Sequence, residues 1–228
     1  MYPVSLYLIH GVDKSRGPRM MEECKKANIN LADIKWVLHP NKDELTEELI
    51  QQITVQTPSY SNKTMYVAPG SLPRGVISCT FKHYLCLKDI VEHKHEYAVI
   101  MEDNMQFADG VDMAKRVQEY IGQLNTIYPD WDVCFDLNFM KSAHKKVPGI
   151  YVYPKTNEIT ELNHGGTRCA QFYLLRYKCA KALYENYLPF NAPPDHWMND
   201  LFRKLNIKSF WTDPPGVEPW DHESSAFG

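Results

Sequence analysis

The sequence predicts an α/β fold in which a mostly parallel central sheet is flanked by helices. Short apolar runs alternate with longer stretches whose apolar residues recur every three to four positions. This alternation is typical of strands that take turns with helices. Polar side chains follow several of the apolar runs, as they do where strands of an open sheet end in a ligand-binding crevice. With 228 residues, 44% of them hydrophobic, the chain can bury a large core.

The first half of the chain contains three predicted strands and three predicted helices. The strands are residues 4–9, which end at His10-Gly11, residues 35–38, and the apolar run that begins at Ala98. Pro18 suits the first turn of a helix that continues to Ala27. Asn41 can cap a second helix, whose stripe is Leu45, Leu49 and Ile53. Residues 55–75 form a polar loop, and a helix over 76–92 directs His83 inward, where it is either a site residue or a core histidine.

The second half repeats the alternation with an insertion. We expect helices over residues 111–124 and 178–187, and strands over 131–138, 171–175 and 208–211. Residues 140–165 are basic and then polar, which indicates an insertion or flap on the sheet. Asp195 follows two prolines and is predicted to cap a further helix.

Composition and motifs exclude several classes of protein. The net charge is −3, with both signs interspersed, which argues against nucleic acid or an anionic membrane surface as partner. No apolar run approaches the twenty or so residues of a transmembrane helix, and the N-terminus reads as a strand, not a signal peptide. Six cysteines without CxxC pairs indicate buried thiols, so we expect a reducing, cytoplasmic location. The absence of GxGxxG, GxxxxGK[ST] and GxSxG argues against Rossmann dehydrogenases, P-loop NTPases and α/β-hydrolases.

The stretch from Ala98 to Asn104 carries the strongest functional signal. Its apolar run favours burial on both faces of a sheet, and it ends in Glu102, Asp103 and Asn104. Clustered oxygen ligands at a strand end suit a divalent cation that carries a phosphorylated substrate. The alternative is an acidic, solvated turn after an ordinary strand.

Several motifs, in order, resemble family 25 glycosyltransferases, the group that contains lipooligosaccharide and collagen hydroxylysine galactosyltransferases. Residues 75–84 (GVISCTFKHY) are similar to the family's GxxxCxxSH helix start, and residues 99–104 (VIMEDN) to its strand ending in Glu-Asp-Asp. Residues 7–10 followed by Arg16 and Arg19 resemble its first strand and Arg-rich turn. Further matches are Trp131-Asp132, residues 172–175 with the helix after them, and Asp195.

The resemblance implies a GT-A-type glycosyltransferase in a single domain over 1–228, with a nucleotide-sugar half of about 1–105 and an acceptor half of about 106–228. It implies a UDP-sugar donor, Mn²⁺ or Mg²⁺ as cofactor, and inverting transfer of galactose or glucose to a glycan or glycosylated-protein acceptor. The oligomeric state is left open. The residues that it implies are, for the donor, His10, Gly11, Arg19, His83, Glu102 and Asp103; for the metal, Glu102, Asn104 and His222; and for the catalytic base, Asp195 first and Asp136 second.

Two positions depart from the family pattern. Asn104 stands where the family has its third acidic residue, and Lys82 stands where it has a serine. Asn104 motivates an alternative from another class, a GT-A-like domain that binds a nucleotide sugar or glycan with weak or no turnover. A soluble nucleotidyltransferase is a third hypothesis, but it needs a basic phosphate-binding loop after the first strand, and residues 11–19 are a poor version of one.

Overall fold

The computed structural model describes residues 1–11, 13, 15–55, 72–136, 159–161 (backbone only), 170–212 and 215–220. Within them lie nine strands and six α-helices, which we number in chain order. The strands are β1 (Val4–Ile9), β2 (Ile34–Val37), β3 (Tyr97–Glu102), β4 (Met105–Phe107), β5 (Val133–Phe135), β6 (Ile159–Glu161), β7 (Phe172–Arg176), β8 (Ser209–Thr212) and β9 (Val217–Pro219). The helices are α1 (Arg16–Lys26), α2 (Glu47–Ile53), α3 (Arg74–Glu92), α4 (Met113–Ile127), α5 (Tyr177–Asn186) and α6 (Pro194–Leu205).

A central sheet with the order β2-β1-β3-β7-β5-β8-β6 organises the described chain. Strands β1, β2, β3, β5 and β8 run in one direction, and β6 and β7 run against them. The predicted α/β fold with a mostly parallel sheet and flanking helices is confirmed. The direction of β7 has no signal in the sequence, because a buried antiparallel strand inside such a sheet is as uniformly apolar as its parallel neighbours.

The central strands are buried on both faces, as their uniform apolar composition requires. Residues Tyr97 to Met101 of β3 and Phe172 to Leu175 of β7 are all buried, and their side chains belong to one continuous core. Helix α3, which at 19 residues is the longest of the described helices, packs against β1 and against α5 and α6. It therefore joins the sheet to the helices of the second half of the chain.

Two predicted caps are wrong. Asn41 was predicted to cap α2, but it caps the 3-10 turn Lys42–Glu44. The N-cap of α2 is Thr46, whose hydroxyl accepts a hydrogen bond from the Leu49 backbone N–H. Asp195 lies inside the first turn of α6, because Pro193 takes the N-cap position and Pro194 the first helical position. Proline needs no N–H partner there, and its fixed φ starts the helix two residues earlier than predicted.

A second, two-stranded sheet lies next to the end of β3. Strand β4 pairs in antiparallel fashion with β9, and the Trp220 N–H donates to the Asn104 carbonyl oxygen at 2.9 Å. Neither strand was predicted, because three residues are too few to show an alternating pattern. The pairing brings the C-terminal part of the described chain against the acidic stretch.

Two further findings concern composition. The five described cysteines, at positions 24, 79, 86, 134 and 179, are free thiols, four of them buried, as predicted. Among the described residues, no helix has the length and apolar character needed to cross a membrane. Most of the predicted 55–75 loop and almost all of the 140–165 insertion lie outside the described residues.

Candidate functional site

The strand order creates a switch point between β1 and β3. From β1 the chain moves to β2 on one side and later returns to β3 on the other side, so the connections leave in opposite directions. Ligands of open α/β sheets bind at such points, outside the carboxyl ends of the strands. A cleft of about 580 Å³, including solvent-open space, lies there. Its lining comprises residues that follow β1 (His10, Gly11, Arg16), residues 41 and 42, one side of α3 (Gly75, Ser78, Cys79, Lys82), and Glu102, Asp103 and Asn104.

Asp103 fastens the turn after β1 to the end of β3. Because Ile9 pairs with Glu102 in the parallel register, the residues just beyond them are neighbours. Asp103 Oδ2 accepts a hydrogen bond from the Gly11 backbone N–H at 2.7 Å and lies 2.6 Å from His10 Nδ1. Its Oδ1 lies 3.3 Å from the Arg16 guanidinium. With both oxygens engaged, Asp103 holds the turn after β1 against the end of β3, as carboxylates that hydrogen-bond to the surroundings of metal ligands do.

Glu102 is held from the other side by α3. His83 Nε2 lies 3.0 Å from Glu102 Oε1, and Cys79 Sγ, one helical turn earlier, lies 3.9 Å from the same oxygen. An ionised carboxylate only accepts, so Nε2 donates, and Nδ1 accepts from the Tyr173 hydroxyl at 2.8 Å. Burial raises the pKa of the Cys79 thiol well above its ordinary value, which keeps it protonated and able to donate.

The side-chain oxygens of this cleft fit a hard divalent cation. Asn104 Oδ1 is buried and has no hydrogen-bond partner among the described residues, although buried polar atoms normally have one. Asn104 and Glu102 line the same cleft and offer an amide and a carboxylate oxygen, ligand types that Mg²⁺ and Mn²⁺ accept. Both carboxylate oxygens of Asp103 already contact His10, Gly11 or Arg16, which leaves them less available to a cation. Within the described part of the cleft, Glu102 and Asn104 could therefore hold such a cation.

The cleft also contains positive charge. Arg16, Lys42 and Lys82 line it together with His10. Lys82 is only 2% exposed, and its ammonium group donates to the His10 carbonyl oxygen at 2.7 Å and to Asn41 Oδ1 at 2.9 Å. Cationic groups next to oxygen ligands suit a substrate that carries phosphate.

The remaining predicted site residues lie outside this lining. Asp195 is on α6, which packs against α3, and it is near enough to contribute to the raised pKa of Cys79. Asp136 is 2% exposed and accepts hydrogen bonds from the Thr212 hydroxyl and the Gly216 N–H, both at 2.5 Å. The Arg19 guanidinium stacks on the Trp220 ring. His222 lies outside the described residues.

The sequence interpretation missed the contribution of α3 to the cleft beyond His83. Gly75, Ser78, Cys79 and Lys82 are spaced three and four residues apart, so they share one side of the helix. The period that directs His83 inward also reaches Cys79 and Gly75, whereas Ser78 and Lys82 are rotated away from it around the helix, so it does not identify them. Asn41 and Lys42 carry no such signal, because only the tertiary fold brings them to the cleft.

Comparison with protein families defines the class. The model of "Glycosyltransferase family 25 (LPS biosynthesis protein)" matches residues 11–198, which is most of the chain and includes the residues lining the cleft from Gly11 to Asn104. The protein is thus a glycosyltransferase by family. More particularly, it belongs to glycosyltransferase family 25, as the resemblance of its motifs predicts. No curated protein matches the sequence.

Solved structures are similar only at a distance. A glycosyltransferase involved in glycosylation of the major capsid of PBCV-1 is 10% identical, with 99% of this chain and 96% of that chain covered and a TM-score of 0.45. Mouse xyloside xylosyltransferase 1 is 9% identical, with 91% and 84% covered and a TM-score of 0.44. A putative glucose-1-phosphate thymidylyltransferase from Bacillus anthracis is 11% identical, with 92% and 87% covered and a TM-score of 0.44. The family match alone carries the assignment, since these TM-scores lie below 0.5.

Proposed function

We propose that the protein transfers a hexose, galactose or glucose, from a UDP-sugar to a hydroxyl group of a glycan or glycosylated-protein acceptor, with inversion. The observation that carries the proposal is the cleft at the β1/β3 switch point, where Glu102, Asn104 and several cationic groups meet. The diphosphate of a nucleotide has negatively charged oxygens, which accept charge-assisted hydrogen bonds from cationic groups such as those of this lining.

In this proposal the chain works as a single domain with the donor half at about 1–105 and the acceptor half at about 106–228. His10 and Gly11 lie beside the nucleoside, and Arg16 or Arg19 reaches toward phosphate. Glu102 and Asn104 hold Mn²⁺ or Mg²⁺, with His222 as a further ligand. A bound cation would neutralise the charge that develops on the diphosphate leaving group.

The transfer needs a base for the acceptor hydroxyl. As the hydroxyl oxygen bonds to the anomeric carbon, the bond from that carbon to the UDP oxygen breaks, and the base accepts the hydroxyl proton. We prefer Asp195, because it belongs to the helix that packs against the cleft helix α3. Asp136 is the weaker candidate, since Thr212 and Gly216 already occupy its Oδ1 and it lies outside the cleft lining.

The deciding experiment is calorimetric titration of UDP in the presence of Mn²⁺ and of EDTA. We expect Mn²⁺ to tighten binding to the wild type. Asn104→Asp should tighten the Mn²⁺-dependent binding by at least about fivefold, because a unit charge near the ion is worth about 1–4 kcal/mol in a partly wet site. Asp103→Ala should weaken binding, whereas Ala in place of the exposed Asp109 serves as the matched control and should change nothing. Absence of UDP binding under both conditions would refute the donor site.

A second candidate function is binding without turnover, and Asn104 favours it because an amide supplies no negative charge to a cation. The two candidates separate in an assay for UDP release from UDP-galactose and UDP-glucose. Hydrolysis or transfer with either donor supports the transferase. UDP binding with no release from either sugar, with Mn²⁺ or Mg²⁺, supports the binding domain.

A further inference from the structure

Lys82 is a buried cation whose hydrogen bonds go to uncharged groups. Its two acceptors among the described residues are a backbone carbonyl and an amide oxygen, and no described carboxylate forms an ion pair with it. Burial is the main influence on its amine and lowers its pKa, while electrostatic interactions with Cys79, Asp103 and Glu44 oppose that effect. A lysine in such surroundings is stabilised by a bound anion more than an exposed lysine is.

The two carboxylates that line the cleft contact groups other than the Lys82 amine. Asp103 is engaged by His10, Gly11 and Arg16, and Glu102 by His83 and Cys79. Lys82 has three N–H groups, of which two donate to described atoms, and it lines the cleft. The Lys82 ammonium group thus offers a positive charge that no described carboxylate pairs with, and a third N–H group that can donate a hydrogen bond.

The Lys82 ammonium group lies where helix α3, the end of β1 and the turn after β2 come together. It reaches from α3 to the end of β1 through the His10 carbonyl, and to the turn after β2 through Asn41. Both sequence departures from the family pattern, Lys82 and Asn104, make the cleft more positive.

We propose that Lys82 binds the diphosphate of the nucleotide and gives the cleft an affinity for it that is independent of divalent cation. The proposal rests on the donor site described above. It differs from the metal site at Glu102 and Asn104, because it assigns part of the phosphate recognition to a side chain on α3.

The test compares UDP with uridine, each titrated with Mn²⁺ and with EDTA, on wild type and on Lys82→Gln. Glutamine keeps an N–H donor for the His10 carbonyl and removes the charge. In EDTA we expect the wild type to bind UDP at least tenfold more tightly than uridine, and Lys82→Gln to lose that advantage while its uridine affinity stays unchanged. Lys88→Gln is the control, because Lys88 is half exposed on the same helix; it should behave as the wild type.

Three results would overturn the proposal. The first is that UDP binds no better than uridine in EDTA, and the second is that Lys82→Gln leaves the UDP affinity in EDTA unchanged. In both cases, UDP binding in the presence of Mn²⁺ would still support the proposed donor site. Equal weakening of UDP and uridine would mark Lys82 as a structural tie between α3, β1 and Asn41. UDP binding in neither condition would instead refute the proposed function itself.

Discussion

Glu102 is oriented by side chains that never reach solvent. His83 is fully buried between Glu102 and the Tyr173 hydroxyl, and its ring lies nearly parallel to that of Tyr173, with centroids 5.8 Å apart. The chain of hydrogen bonds from Tyr173 through His83 fixes the rotamer of the carboxylate. The two interpretations that the sequence left open for His83, core residue and site residue, are therefore compatible: it is a core residue that contacts a residue of the candidate site.

We predict that His83→Gln lowers Mn²⁺-dependent UDP affinity by about 10- to 100-fold, the usual cost of removing a group that orients a metal ligand. The measurement is calorimetry, accompanied by chemical denaturation to establish that the variant is folded. His93→Gln, at the exposed C-terminal end of the same helix, provides the control and should bind as the wild type does. Unchanged Mn²⁺-dependent affinity in a folded His83 variant would show that Glu102 needs no such support.

Asp136 is a residue whose charge the fold tolerates poorly. Burial raises its pKa above the ordinary value of 3.8, although donation by Thr212 and Gly216 and the nearby Arg116 oppose the shift. A carboxyl group with a raised pKa in the folded state stabilises the fold fully below its unfolded pKa. That contribution is lost as the pH rises through the folded-state pKa.

Asp136→Asn removes this titration while it keeps an acceptor for Thr212 and Gly216. We therefore predict that the free energy of unfolding of the wild type, relative to the variant, falls as the pH rises from about 4 to 7. Urea denaturation at several pH values measures the difference. A difference that stays level or grows with pH would mean that the ion pair with Arg116 outweighs burial.

At the scale of elements, the turn before β9 depends on a glycine. An added Cβ at Gly216 would lie 2.9 Å from Met113 Sδ, 3.0 Å from Asp136 Oδ2 and 3.1 Å from Arg116 Nε. These atoms belong to α4 and to the end of β5, so Gly216 sets how closely the β4–β9 sheet approaches the rest of the structure. Gly122, inside α4, has no atom within 4 Å of an added Cβ.

We predict opposite effects of the same substitution at these two positions. Gly216→Ala should lower the free energy of unfolding by about 1–3 kcal/mol, because overpacking displaces its neighbours. Gly122→Ala should raise it by about 0.5–1 kcal/mol, since alanine loses less backbone freedom in a helix. Denaturant titration of both variants measures the two changes. Equal changes at the two sites would contradict the close approach at Gly216.

The elements that could be predicted from the sequence are those with a long or uniform pattern. The periodic stretches of α1, α3, α4 and α5 and the apolar strands β1, β3 and β7 all lie within a few residues of their predicted positions. Strands β4 and β9 have three residues each, so their pairing depends on contacts between residues more than 100 positions apart. A pattern in a short window contains no information about such contacts.

At the scale of the whole molecule, the sequence predicted that polar residues gather at the carboxyl end of β3 but not the composition of the cleft around them. Polar residues directly after an apolar strand are visible in the sequence, which is why His10, Glu102, Asp103 and Asn104 were identified. The role of Asn41 and the hydrogen bonds of Lys82 follow from the sheet order, which places the turn after β2 beside β1 and α3. Sheet order has no local signal, so these contacts emerge only from the structure.

The two proposed halves share one core, and this determines how the molecule should unfold. Strand β3, in the donor half, pairs with β7, in the acceptor half, and both strands are buried within a single hydrophobic cluster. We therefore predict one cooperative transition, with coincident denaturation curves by tryptophan fluorescence and far-ultraviolet circular dichroism. UDP with Mn²⁺, at 100 times its Kd, should shift the entire curve by about 2.7 kcal/mol, because a ligand that binds only the native state stabilises the whole cooperative unit. Two separate transitions, of which UDP shifts only one, would instead show that the donor and acceptor halves are independent domains.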